Sequence, residues 1–199
     1  MKSAQFKELV LSALEHERGG VLLYQAALDC TVNSDLHEEW ERYLDQTKTH
    51  VTSLEKVCDA LGYDPTEQTP ACKVAQHTGN ALVGAIRMAV AAGDPDAAEL
   101  VACECVLLAE TKDHANWELL AKCAEELTGE AKSSLKEACE RIEDEEDEHL
   151  YHNKGWAREL WFKALELSAV LPPPEEVKNV KSAIAAARAQ QESESSRPH

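Results

Sequence analysis

The stretch Ile142-Glu143-Asp144-Glu145-Glu146-Asp147-Glu148-His149-Leu150-Tyr151-His152-Asn153 decides the fold. Extended in both directions, its apolar period reads Leu135, Cys139, Ile142, Glu146, His149, Asn153, Trp156 and Leu160. That alternation of three- and four-residue steps is the pattern of a helix face packed on a core. Glu146, His149 and Asn153 interrupt it. Burying ionisable groups is costly unless they are paired or bind a metal, so one Glu-x-x-His pair on an inward face poses a question that other helices must answer.

Three further segments carry the same kind of stripe. The first reads Phe6, Val10, Ala13, Glu17, Gly20, Tyr24, Ala27; the second reads Leu36, Trp40, Tyr43, Thr47, His50, Leu54, Val57, Leu61. The third reads Leu100, Cys103, Leu107, Glu110, His114, Trp117, Ala121, Ala124. Each is broken near its middle by Glu, His or both. Antiparallel neighbours joined by a short loop meet at equal distances from the turn. With turns near Asn33-Ser34 and Thr128-Gly129, Glu17 stands level with His50, and Glu110 level with Glu146 and His149. At 1.5 Å rise per residue each set lies roughly 25 Å from its loop. Four helices are therefore expected to bring their polar interruptions to one height.

The stop signals predict helices over about 3–32, 35–62, 70–92, 95–127 and 130–170. Gly62 with Asp64-Pro65 ends the second, and Gly93-Asp94-Pro95 separates the third from the fourth, with Asp94 as N-cap and Pro95 at the first helical position. The 63–94 passage makes one long helical crossover between the second and third bundle helices. This predicts an all-α domain over 1–170, a four-helix bundle whose crossover resembles the ferritin-like connection rather than simple up-down-up-down. Beyond Leu171-Pro172-Pro173-Pro174 a short C-terminal helix at about 175–190 and a disordered tail are expected over 171–199.

Composition narrows the function. The 199 residues hold 44% hydrophobic residues and a net charge of −17, enough for a core but lacking the basic patches that nucleic acid and anionic membranes require. No apolar run approaches membrane-spanning length, and Met1–Gln5 leads directly into an amphipathic helix without a signal-peptide core. A cytoplasmic location is expected. Seven cysteines without a CxxC pair read as small buried thiols in a reducing compartment.

The motifs resemble those of the ferritin-like superfamily of ferritins, bacterioferritins, rubrerythrins and related stress proteins. Glu17 followed by Tyr24 is similar to the first-helix motif of a Glu ligand seven residues before a Tyr. His50-Val51-Thr52-Ser53-Leu54 looks like the stretch beginning at the second-helix histidine. Glu104-Cys105-Val106-Leu107-Leu108-Ala109-Glu110 is similar to the third-helix segment, whose last Glu binds or bridges metal. Glu146-x-x-His149 matches the fourth-helix pair of the bacterioferritin and rubrerythrin type.

The resemblance implies two metal ions, Fe first, with Mn or Zn as alternatives, held by Glu17, His50, Glu110, Glu146 and His149. Glu110 and one of Glu17 or Glu146 would be the bridges. The chain departs from the pattern at Thr47, where the family has Glu three residues before the histidine; a threonine is a poor ligand and no bridging carboxylate. His114 is the compensating candidate, with Gln46 one turn from His50 as another.

Tyr24 is read as a core tyrosine with a satisfied hydroxyl, or as a redox-active neighbour of the ions. Asn153 is expected to orient ligands. His16, His37, His77 and His152 are expected to face solvent, as is the run Glu143–Glu148 apart from Glu146. Trp40, Trp117 and Trp156 read as core packing.

Three functions follow. The resemblance implies ferroxidase, peroxidase or stress-protection activity toward O2 or H2O2, without a rubredoxin-type electron supply because CxxC pairs are lacking. The alternatives are metal sequestration without turnover, and a metal-free helical interaction protein whose site has decayed, beginning at Thr47. The negative charge disfavours an RNA-modifying role, and a homo-oligomer is compatible with all three.

Overall fold

The computed structural model describes residues 3–168, and these are all-α. The helices are α1 Ser3–Leu28, α2 Ser34–Leu61, α3 Pro70–Ala92, α4 Pro95–Glu125 and α5 Gly129–Ala164. The helix and tail expected beyond 171 lie outside the described residues. Among the described residues no helix is long and apolar enough to cross a membrane.

Side-chain chemistry sets the helix boundaries. Asn33 Oδ1 accepts from the amides of Asp35 and Leu36 at 3.0 and 3.2 Å to start α2. Gly62, at φ 68°, closes it in the left-handed conformation that glycine adopts without a Cβ clash. Thr69 caps α3. Asp94 caps α4 through the Ala97 amide at 3.1 Å, with Pro95 as its first residue.

Two helices end earlier than the sequence suggests. After Leu28 the amides of Cys30 and Thr31 tighten to three-residue bonds. Those of Val32 and Asn33 leave the helix altogether and donate to Glu99 Oε1 of α4 at 2.7 and 2.5 Å. α5 stops at Ala164 rather than near 170. Glu166 takes φ 54°, and the Leu167 amide reaches back to the Phe162 carbonyl at 2.9 Å, a Schellman-type ending.

Contacts between helices fix their directions. Arg18 reaches Glu55 and Tyr24 meets Tyr43, so α1 and α2 are antiparallel. His50 meets Glu145 and Tyr43 meets His152, making α2 and α5 antiparallel. His114–Asp147 and Trp161–Glu104 set α5 against α4, and His16 at the Ala109 carbonyl with Cys30 at the Ala98 carbonyl sets α4 against α1. The four form a closed ring in the order α1, α2, α5, α4.

α2 and α4 therefore run the same way, and the chain must travel back along the ring between them. α3 makes that return, lying parallel to α1 through Thr69–Glu8 and Gln76–Glu15 and packing also on α4. At their crossing a Cβ on Gly79 would stand 3.4 Å from the Gly19 Cα, so the paired glycines let the two backbones approach.

Two apolar clusters fill the ring. One gathers Tyr24, Leu36, Trp40, Tyr43, Val106 and Trp156; the other gathers Phe6, Leu14, Leu54, Leu120, Leu135 and Ile142. Between them lies a layer with Glu17, Thr47, His50, Glu110, Asp113, Glu146 and His149, all buried.

Candidate metal centre

The stripes predicted for α1 and α5 are buried throughout, and that of α2 is buried apart from half-buried Leu61. α4 differs. Its buried stripe runs Cys103, Val106, Glu110, Asp113, Trp117, Leu120 and Ala124, one residue earlier than expected at three of its turns. Leu107, His114 and Ala121 are only half-buried. Asp113 thus occupies the inward place assigned to His114, and it is 4% exposed.

Glu17, His50, Glu110, Glu146 and His149 come together. Each of two triads, Glu17–His50–Glu146 and Glu110–Glu146–His149, offers ligand atoms within 4.8 Å of one another. Glu146 belongs to both. His50 Nδ1 lies 3.0 Å from Glu146 and 3.4 Å from Glu17; His149 Nδ1 lies 3.4 Å from Glu110 and 3.7 Å from Glu146. The imidazoles stack at 5.7 Å between ring centroids.

Each imidazole turns its other nitrogen outward. His50 Nε2 donates to Glu145 at 2.8 Å and His149 Nε2 donates to Gln46 Oε1 at 3.0 Å. A ligating histidine is commonly fixed in this way: an outer partner holds one N–H and sets the tautomer that leaves the inner nitrogen's lone pair free. Trp117 Nε1 donates to Glu17 Oε1 at 2.7 Å. Asn153 accepts from Trp40, donates to the His149 carbonyl and lies 3.4 Å from the Tyr24 hydroxyl, so it braces the helix turn that carries His149. Thr47 contributes nothing inward, because its hydroxyl donates to the Tyr43 carbonyl of its own helix at 2.8 Å.

The innermost atoms lack partners. Glu17 Oε2, His50 Nδ1, Glu110 Oε2, Asp113 Oδ1 and both oxygens of Glu146 are buried without a hydrogen bond, the short approaches to His50 and His149 notwithstanding. Buried polar atoms are ordinarily satisfied, and this many orphans in one layer fit a cation with oxygen and nitrogen ligands. The donor set suits Fe, Mn or Zn.

Protons do part of that work in the metal-free layer. Burial disfavours charge on His50, but Glu17, Glu145 and Glu146 outweigh it and raise its pKa. Burial likewise opposes His149, and Glu110 and Glu146 raise it. Burial pushes Glu146 up to about 7, against the pull of His50 and with the help of Glu110 and Glu17. Burial and then the neighbouring carboxylates push Asp113 well above the carboxylate range. Burial opposes the charge on Glu110, but the neighbouring His149 imidazole and Tyr24 hydroxyl overcome it and hold its pKa low. A metal entering this layer would displace protons.

Several expectations need correction. His152 is 3% exposed and sits with Glu39 at 2.5 Å and Tyr43 at 2.7 Å. His16 is half-buried on the Ala109 carbonyl. The acidic run is not simply solvated: Glu145 holds His50, Asp147 holds His114 at 2.7 Å, and Glu148 lies 3.8 Å from Arg42. The tryptophans pack in the core and also donate, Trp117 to Glu17, Trp40 to Asn153 and Trp156 to Glu39. His114 belongs to neither triad; it lines a surface cavity of about 260 Å³ with Trp117, Glu143 and Asp147, and Glu146 reaches that cavity's wall from within. All seven cysteines are free.

No protein-family model, curated protein or solved structure matches this chain, so its chemistry is read from its own side chains.

Proposed function

We propose that the chain is a ferritin-like protein holding two metal ions, iron first, and acting in iron oxidation or in protection against peroxide or oxygen. The observation that carries this reading is the sharing of Glu146 between two buried triads. A carboxylate common to two ligand groups is what a two-ion centre needs as its bridge. Glu17 and His50 would hold one ion, Glu110 and His149 the other. The ions themselves would supply the redox chemistry, Fe(II) giving electrons to O2 or H2O2.

The protein's part is positional and electrostatic. Glu145 and Gln46 hold the imidazoles in the tautomer that presents Nδ1 inward. The indole of Trp117 fixes one Glu17 oxygen and leaves the other free. The two apolar clusters exclude water above and below the layer, which strengthens each charge interaction inside it. The acidic cavity reaching Glu146 gives small cations and oxidants a way in.

A second reading, metal sequestration or a metal-free interaction protein, draws on Thr47, whose hydroxyl is used within its own helix. An anaerobic Fe(II) titration followed by O2 separates the readings. Near two Fe(II) per chain and a ferric near-UV absorption after O2 support the redox centre. Binding without oxidation favours sequestration, and no binding under any loading condition refutes the metal reading.

A further inference from the structure

Asp113 is the inward residue that the two triads do not use. It lies on α4 one turn beyond Glu110 and on the same buried stripe. It is 4% exposed, and its Oδ1 has no hydrogen-bond partner. A carboxylate in such a place is costly unless something compensates it, and an apolar residue would continue the stripe from Val106 to Leu120 without cost. Trp117, one turn further along the same stripe, donates to Glu17 Oε1 at 2.7 Å and meets the His50 ring edge-on. Asp113 thus stands on the stripe between Glu110 and the indole that touches Glu17 and His50, toward the Glu17–His50 side of the layer. Across the same layer, Thr47 has turned its hydroxyl away.

We propose that Asp113 is a metal ligand, the fourth protein donor to the ion held by Glu17, His50 and Glu146, supplying from α4 the carboxylate that Thr47 does not supply from α2. The assignment rests on the two-ion reading above and completes a set of four carboxylates and two imidazoles. Asp113 stands outside both 4.8 Å groups, so its carboxylate would swing inward when the ion binds and take a terminal place, with the bridging role left to Glu146. Relocating a carboxylate from one helix to another keeps the charge of the layer while changing which helix tethers the ion.

The test uses the full chain and Co(II) as the probe, titrated anaerobically and followed by the visible bands of the bound ion. Wild type is expected to take two equivalents. Asp113→Asn is expected to weaken one of them by at least about tenfold and to leave the other unchanged. Asp113→Asn added to His50→Ala should cost nothing further, since both act on one ion, whereas added to His149→Ala it should impair the second ion too. Metal-free Asp113→Asn should melt at or above the wild-type temperature, because an orphaned buried carboxylate has been removed.

Two Co(II) bound by Asp113→Asn with wild-type affinity would overturn the assignment while leaving the two-ion reading intact. A metal-free variant melting several degrees below wild type would also overturn it, marking Asp113 as a structural carboxylate. Wild type that takes no Co(II) sinks the two-ion reading and this assignment with it, before any variant is compared.

Discussion

Glu146→Gln keeps the shape of the shared carboxylate and removes its charge, so the metal-free protein and its metal binding should respond in opposite directions. Glu146 is 1% exposed with neither oxygen hydrogen-bonded, and its pKa is displaced from 4.5 to about 7. At about 1.4 kcal/mol per tenfold change in proton affinity, the folded protein disfavours the ionised form by about 3 kcal/mol. The folded pKa is the higher one. Wild type therefore has this stability in full below the unfolded pKa and loses it as pH rises through 7, whereas glutamine has no proton to lose.

The variant and wild type should be about equally stable near pH 5. Above pH 8 the variant should lead by about 3 kcal/mol, or roughly 6–12 °C in melting temperature for a chain of this size. Urea unfolding in chelator at the two pH values measures this, and metal titration of the same samples should show both ions lost. Equal destabilisation at both pH values, or two ions still bound at wild-type affinity, would refute the reasoning.

His149→Ala and Glu110→Ala should each lose at least one ion while Glu148→Ala, whose carboxylate faces Arg42 outside the layer, keeps both; metal content after dialysis checks all three. Because His50 and His149 hold protons above their ordinary range, metal affinity should climb with pH and binding should release protons. Calorimetric titration in buffers of different ionisation heat reads that release, and a pH-independent affinity would place the ions elsewhere. Glu39→Leu strands donors from Tyr43, His152 and Trp156 and should cost about 3–5 kcal/mol in chemical denaturation. Burial works against the Glu39 charge but His152 holds its pKa below 4.5. Its contribution is thus present above the unfolded pKa and disappears as pH falls through the folded one, a loss that the leucine variant should not show.

Most of the central layer was legible because the apolar periods of α1, α2 and α5 coincide with their buried stripes, so Glu17, His50, Glu146 and His149 fall where the pattern puts them. α4 was not, for a physical reason. Like α1 it packs on three helices, and Ala102, Cys105, Ala109 and Asn116 are buried beside its main stripe. With Val106, Leu107 and Leu108 in succession, the apolar period has no contrast, and the reading took Leu107 where the helix uses Val106. His114 was then counted inward in place of Asp113. The three-and-four alternation fits both phases, Leu107-Glu110-His114-Trp117 and Val106-Glu110-Asp113-Trp117, and only packing against the neighbouring helices selects the second. Glu145, Glu39 and His152 escaped, and Gln46 was expected as a ligand rather than as the partner of His149, because a stripe marks only the direction of the core. Their partners lie at the flanks between α2 and α5, where contact depends on how two helices align.

The grip of Glu99 on the α1–α2 turn bears on the order in which this chain assembles. The amides of Val32 and Asn33 find their acceptor 67 and 66 residues further on, in a helix that does not exist when the hairpin first leaves the ribosome. Until α4 arrives those two amides depend on water, and only the Asn33 cap and the last bonds of α1 shape the turn. The first hairpin is a neighbour pair in sequence whose turn borrows an acceptor from far along the chain. Its corner is completed only when α3 has carried the chain back and α4 has docked, so a fragment ending at residue 62 should hold its turn less firmly than the whole chain does.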